Sequence, residues 1–239
     1  MEEYYGSSVK NYKQPQDKFY TLFPALDRLL ADAKGKQSLL DLACGTGDLY
    51  SFVGNKGYSY TGIDISEDML AQAKRRHPDG TFLLGDATEL KRSDMFDVVL
   101  CNMLLPSVAT KAAFNAVFQT GADLLLDDGT LIVSSGHPCF DGYMGKKFFG
   151  RTDIETEFKG YFQSGSKYKV MRKLGDSDFV FTDYHWTFTD YMKAAHRANL
   201  QLTALDECPL SADTPVEIAN KIHAKGTPSY IVFQFKKKH

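Results

Sequence analysis

The chain has 239 residues, 43% of them hydrophobic and 24% charged, a composition with room for one large core or a core plus an appended subdomain. Fibres, disordered tails and disulfide miniproteins are excluded. Lys plus Arg at 28 against Asp plus Glu at 30 leave a net charge of −2, so no global cationic field exists to hold a polyanion, which argues against nucleic acid or an acidic membrane as a main partner.

The acidic, Tyr-rich start MEEYYGSSVKNY has neither the basic end nor the apolar stretch of a secretory signal. No later run approaches the roughly 20 apolar residues of a membrane helix, so a cytosolic protein is expected. Residues 1–34 are expected to form a helical arm. Apolar runs with the texture of buried parallel strands follow at 38–42, 58–63, 81–84, 97–101 and 130–134. Between them, 66–76 reads as a helix opened by Ser66-Glu67-Asp68 and stopped at His77-Pro78, and 111–126 reads as a helix stopped at Asp127-Asp128-Gly129. Strands alternating with helices imply crossover units and a mainly parallel sheet.

The stretch 136–183 is rich in Gly, Lys and aromatics without a sustained period, and reads as a cap inserted over the carboxyl edge of the sheet. A helix at 188–198, a strand at 201–206, a short helix at 215–223 and a last, antiparallel strand at 229–235 complete the chain. Cys44, Cys101, Cys139 and Cys208 are scattered without Cys-x-x-Cys spacing, which predicts reduced, packed thiols and no metal.

Chemistry concentrates at strand ends. Leu39-Leu40-Asp41-Leu42-Ala43-Cys44-Gly45-Thr46-Gly47-Asp48 spans the turn from first strand to first helix, the edge where doubly wound sheets bind nucleotides. Gly45 and Gly47 let backbone approach a ligand closely. The third glycine of a diphosphate-binding loop is missing, because Tyr50 stands there, and Asp41 precedes the loop. A cofactor with a cationic amino end suits such a loop better than a diphosphate. The second strand runs out at Asp64, placed to accept from both hydroxyls of a ribose. The third ends in Asp86-Ala87, which can read the edge of an adenine, and the fourth leaves Asn102 and Leu104 pointing at the same crevice.

Asp41 to Gly47, Asp64, Asp86-Ala87 and the strand Phe96-Asp97-Val98-Val99 together resemble the class I S-adenosylmethionine-dependent methyltransferases, in the small-molecule branch similar to ubiquinone and menaquinone biosynthesis methyltransferases. The resemblance covers about residues 39–135 and extends to the reversed last hairpin. It implies an α/β, Rossmann-like, doubly wound seven-stranded sheet, mainly parallel with an antiparallel last strand, in a single domain over 1–239. The cofactor implied is S-adenosyl-L-methionine. Asp41 would hold the methionine ammonium, directly or through water; Ala43, Gly45 and Gly47 would line the methionine and ribose, and Asp64 would bind the diol with Ile65 against adenine. Asp86 and Ala87 would bracket the adenine edge, Asn102 and Leu104 would lie under the methionine, and Thr46 and Met69 join these contacts. Tyr4 or Tyr12 would close over the amino-acid end, a role that ordinary packing of the arm explains equally well.

The implied reaction is methyl transfer to a small organic acceptor, with oxygen slightly preferred over nitrogen. His137, directly after the fifth strand, and His185, where the chain re-enters the core, are candidate bases. Each is also explained as a hinge residue bonded to backbone. The aromatics of the cap and a local excess of Lys and Arg between Asp141 and Lys173 hint at a flat or anionic acceptor. Two rivals stand beside this reading: a non-catalytic cofactor-binding or partner-activating subunit, and a nicotinamide dehydrogenase, which Asp41 and the missing third glycine oppose. Nothing after the fourth strand resembles the Asn-Pro-Pro-Tyr or Asp-Pro-Pro-Tyr tetrad of amino-methylating DNA and protein enzymes.

Overall fold

Five apolar runs form parallel strands where the sequence places them: β1 (Ser38–Leu42), β2 (Ser59–Asp64), β3 (Thr81–Leu84), β4 (Phe96–Asn102) and β5 (Leu125–Gly136). The computed structural model describes residues 17–31, 37–140, 160–174, 177–221 and 228–238. The strand at Leu200–Asp206 (β8) and the last one, Tyr230–Lys237 (β9), complete the sheet in the order β3-β2-β1-β4-β5-β9-β8, with β9 antiparallel to both neighbours. This is the expected seven-stranded, mainly parallel architecture with a reversed last strand.

Alternation along the strands divides the core into two faces. Leu39, Val98, Leu100, Ile132 and Val232 meet α2 (Leu22–Ala31), α3 (Tyr50–Gly54) and α4 (Glu67–Arg76) through Leu26, Leu30, Val53, Leu70 and Ala73. Leu40, Leu42, Val99, Leu131 and Phe233 meet α5 (Lys111–Asp123) and a helix at Phe188–Arg197, here α6, through Phe114, Val117, Tyr191 and Ala194. A short α1 (Asp17–Tyr20) precedes α2, and a short α7 (Val216–Lys221) precedes β9. Helix α4 is capped as its sequence predicts: Ser66 Oγ accepts from the Met69 amide at 3.3 Å, acids fill the first turn, and Lys74, Arg75 and Arg76 fill the last.

Two expectations are corrected. The helix read as 111–126 ends at Asp123, because Leu124 caps it and buried Leu125 already pairs with Phe96 in β5. The Asp127-Asp128-Gly129 stop therefore lies within β5, next to the register shift between Phe96 and Val98. The stretch read as lacking a period holds an antiparallel hairpin, β6 (Lys167–Leu174) with β7 (Ser177–Tyr184), forming a separate two-stranded sheet in which Leu174 pairs with Ser177. Gly-Asp between two runs of β-formers is a hairpin signal that the scattered charges obscure. Tyr4, Tyr12, most of the first half of the 1–34 arm and residues 141–159 of the 136–183 stretch lie outside the described residues. No helix among the described residues is long and apolar enough to cross a membrane, and no His, Cys, Asp and Glu group among them could hold a metal ion. Cys44, Cys101 and Cys208 are buried free thiols, whereas Cys139 is exposed.

Asp190 joins three parts of the far face. Its Oδ2 closes a capping box with Thr187 at the start of α6, accepting from the Thr187 amide at 2.8 Å and hydroxyl at 2.9 Å, and also accepts from Ser164 Oγ at 2.5 Å, just ahead of β6. Its Oδ1 pairs with Lys111 at the first turn of α5. Burial pushes this carboxyl up, but the hydrogen bonds from Lys111, Ser164 and Thr187 together hold it below the ordinary carboxylate range. A depressed native pKa contributes stability that is complete above the unfolded-state value and vanishes as pH falls through the native one. Asp190→Ala is expected to cost about 2–3 kcal/mol at pH 7, read from urea midpoints, with the gap to the parent chain closing toward pH 3.

Candidate functional site

The chain leaves β1 toward α3 on one face and β4 toward α5 on the other, and at this divergence the strand ends bound a cleft, the place where sheets of this topology take a ligand. The loop after β1 contributes Ala43, Cys44, Gly45 and Thr46 to its wall; the end of β2 contributes Asp64 and Ile65, and Met69 reaches in from α4. From the tip of β4 come Asn102, Met103 and Leu104.

The loop is held in shape from outside. Gly45 and Gly47 take φ of +55° and +75°, and a Cβ on Gly47 would stand 3.0 Å from the Phe82 ring and 3.1 Å from His77, so only glycine fits there. Gly47 thus backs the loop and is not among the residues lining the cleft. Arg76, at the end of α4, donates to Thr46 Oγ1 at 2.9 Å and Asp48 Oδ1 at 2.8 Å, tying the loop to the neighbouring helix. Asp64 accepts from the Gly45 amide at 2.8 Å and the Ser66 amide at 2.9 Å, one on each oxygen. Burial pushes its carboxyl up against the pull of these amides and that of Ile65. With about four acceptor sites, a carboxylate so anchored still has capacity for hydroxyl donors in the cleft.

Asp41, in the wall, is 1% exposed. Its Oδ2 accepts from the Tyr60 hydroxyl at 2.8 Å, while its Oδ1 is buried with no hydrogen-bond partner among the described residues. Burial pushes the Asp41 carboxyl up to about 7, relieved in part by the Tyr60 hydrogen bond and increased by Asp64 and Asp48. An acceptor so placed is incomplete without a donor from the cleft, and a cationic one satisfies it best.

Three features of the wall escape the sequence reading. Lys18, on α1, is 3% exposed and lines the cleft. Its position repeats the rhythm of buried Leu22, Leu26 and Leu29, and a Lys on an apolar helix face was the available signal. Ala43 and Met103 take φ of +63° and +59°, left-handed conformations of non-glycine residues with no mark in the sequence. The Met103 turn is fixed by its amide, which donates to Ser134 O at 3.1 Å, while Ser134 Oγ donates to Asn102 Oδ1 at 2.6 Å.

The other expected residues lie elsewhere. Asp86 closes a local turn, accepting from the Thr88 amide at 2.8 Å and hydroxyl at 2.7 Å, and neither it nor Ala87 is among the residues lining the cleft. His137 sits at the end of β5, buried, its amide donating to Ser229 O and its Nε2 3.0 Å from Glu207 Oε1. His185 is fully buried; its Nε2 lies 2.7 Å from Tyr161 O and its backbone pairs with Gly165 and Ser166. Neither histidine lines the cleft.

Residues 39–129 match the family of methyltransferase domains. The chain is 34% identical over 97 residues to dTDP-3-amino-3,6-dideoxy-alpha-D-glucopyranose N,N-dimethyltransferase of Streptomyces fradiae, covering 40% of this chain and 38% of that protein. It is 38% identical over 82 residues to demethylmenaquinone methyltransferase of Beutenbergia cavernae, covering 34% of each. The matched stretches thus span well under half the length of these relatives. Beyond them the fold carries the likeness: an S-adenosylmethionine-dependent methyltransferase of Mesorhizobium loti superposes over 90% of this chain and 96% of its own with a TM-score of 0.66 at 22% identity. The strand order and the glycine loop agree with that match: residues 39–129 resemble the methyltransferase domains, and the chain has the fold of the solved methyltransferases it is similar to.

Proposed function

We propose that the chain transfers a methyl group from S-adenosylmethionine to a small organic acceptor. The single observation that carries this reading is the buried oxygen of Asp41, without a partner among the described residues, on a residue in the wall of a cleft rimmed by the glycine loop. The cofactor, when bound, supplies a methyl group already activated on a sulfonium, so the difficult chemistry is its own and the protein contributes alignment and exclusion of water.

The residues present fit that cofactor. Asp41 is the acceptor for its ammonium group and Lys18 the cation for its carboxylate. The backbone of Ala43, Gly45 and Thr46 lies along the ribose and methionine, Asp64 takes the ribose hydroxyls, and Ile65 and Met69 offer apolar surface to the base. Asn102 and Leu104 lie under the methionine. Asp86, whose Oδ1 accepts from Thr88, and Ala87 are proposed for the adenine edge, beyond the residues that line the cleft. The β6–β7 hairpin, as part of a cap over 136–183, is the element proposed to keep water from the transfer.

Oxygen is proposed as the first acceptor atom and nitrogen as the second, the latter supported by the N,N-dimethyltransferase relative. His137 and His185 are proposed as hinge residues that hold the start and end of the cap, because their ring nitrogens already face Glu207 and the Tyr161 carbonyl and a base must reach the proton it takes.

Calorimetry with S-adenosylhomocysteine tests the reading, with one molecule expected to bind per chain; absence of binding to a folded chain overturns it. Turnover on a mixed panel of phenols, carboxylic acids and amines separates an enzyme from a binding subunit. Asp64→Ala removes a ligand acceptor and two loop anchors together, and is expected to weaken S-adenosylhomocysteine by about 1.5–3 kcal/mol, or roughly ten- to 150-fold. His137→Ala is expected to lower the melting temperature and turnover in step; a loss of turnover alone, with cofactor affinity intact, would instead assign it the base role.

A further inference from the structure

Asp41 is served by a device that the cofactor motif does not require. The Tyr60 side chain reaches back from β2 to donate to Asp41 Oδ2, and the strand between is thinned to make room: a Cβ on Gly62 would fall 2.9 Å from the Tyr60 hydroxyl and 2.8 Å from Cys44 Sγ. Tyr60 is itself locked, edge-on to Tyr50 at 5.4 Å and to Phe82 at 5.8 Å, with its phenol pushed well above its ordinary range by burial and by Asp41. It therefore stays protonated and available as a donor. One carboxyl oxygen is fixed in this way; the other is buried with no partner among the described residues, on a residue that lines the cleft.

We propose that Tyr60 is a positioning residue which orients Asp41 toward the ammonium group of the cofactor's amino-acid end, and that capture of this group expels one proton from the Asp41–Tyr60 pair. The proposal rests on the cofactor reading above. In the step the Asp41 acid O–H breaks, its proton passes to solvent, and the resulting carboxylate accepts an N–H of an ammonium that keeps all its protons.

The surroundings favour a neutral acid before capture. From the loop and the end of β2, Asp48 and Asp64 raise the Asp41 carboxyl, adding to the burial that brings it to about 7. Cys44 and, from β4, Cys101 are buried thiols whose own ionisation burial suppresses, so both stay neutral beside the carboxyl. Behind Tyr60, the His77 ring stacks on Tyr50 at 4.8 Å and is held below its ordinary range by burial and Arg76. Lys18 lines the same cleft from α1 and is its cation among the described lining residues. An ammonium group entering beside Asp41 shifts the balance to the carboxylate.

The sign is fixed by the direction of the shift. Below pH 7 the acid must give up its proton before it can accept, so affinity falls about tenfold per pH unit on the acid side. At a pH high enough to deprotonate its ammonium the ligand loses its own charge, so binding is strongest between the two limits.

The experiment is calorimetry of the full chain with S-adenosylhomocysteine at pH 6.0 in two buffers of different ionisation enthalpy. Release of about 0.9 proton per ligand is expected for a group titrating near 7. Tyr60→Phe removes a bond that favours the carboxylate, so the acid limb should move up by about one pH unit: roughly tenfold weaker binding at pH 6.5 and less than about threefold at pH 8. Gly62→Ala, which displaces the same hydroxyl, should move the limb in the same direction, and Asp41→Asn should abolish it. 5′-Methylthioadenosine, which lacks the amino-acid end, should bind without proton release and be unaffected by Tyr60→Phe. Should Tyr60→Phe fail to fold, the proton count of the parent chain still decides. Binding at pH 6.0 without proton release overturns this proposal and leaves the cofactor reading standing; no binding heat between pH 6 and 8.5 overturns the cofactor reading itself.

Discussion

Strands β1 and β4 are hydrogen-bonded neighbours whose continuations leave on opposite faces of the sheet, and every feature of the cleft depends on that divergence. A pair of parallel strands that fed helices on one side would have its ends covered by its own connections. Here the glycine loop turns toward α3, the β4 tip turns toward α5, and a crevice opens over the last residues of both. The two left-handed residues are the local cost of this arrangement. Ala43 bends the chain out of β1, Met103 bends it out of β4, and both stand in the wall they create.

Two carboxylates lie under that crevice with different duties. Asp64 is engaged by backbone amides on both oxygens, so it shapes the glycine loop before any ligand arrives. Asp41 is engaged on one oxygen only and is buried more deeply. A protein interior tolerates an acceptor left unpaired among the described residues when something else gains from it, and under the cofactor proposal the beneficiary is recognition of a cation. The loop itself is braced from behind by Arg76, His77 and Phe82, so its shape is set by the α4–β3 region as much as by its own glycines.

The parallel half of the fold was plain in the sequence because its signals are local and redundant. Buried strands read as short apolar runs, Ser66 caps a helix that His77-Pro78 ends, and acids recur at the strand ends. Asp41, Asp64, Asn102 and Leu104 were legible for the same reason: each sits at a fixed offset from a strand that is itself legible. What was hidden depends on partners distant in sequence. Lys18 is ordinary until α1 folds against the loops, and the helix read through Leu126 stops early because Leu125 finds Phe96 across the sheet. The hairpin of β6 and β7 was masked by charges that interrupt its period, and sequence position does not reveal that His137 Nε2 faces Glu207 and His185 Nε2 the Tyr161 carbonyl.

The reversal of β9 has a practical side. Tyr230 starts that strand beside Gly136, at the rim that holds the cleft, and Lys237 ends it beside Leu200, with its ammonium donating to the Leu125 carbonyl at 2.6 Å on the far rim. The polypeptide is thereby carried the full height of the sheet away from the mouth before Lys238. A fluorophore, affinity handle or surface tether attached beyond that residue stands on the opposite side of the molecule from incoming ligand, whereas the same group near α1 would crowd the entrance beside Lys18.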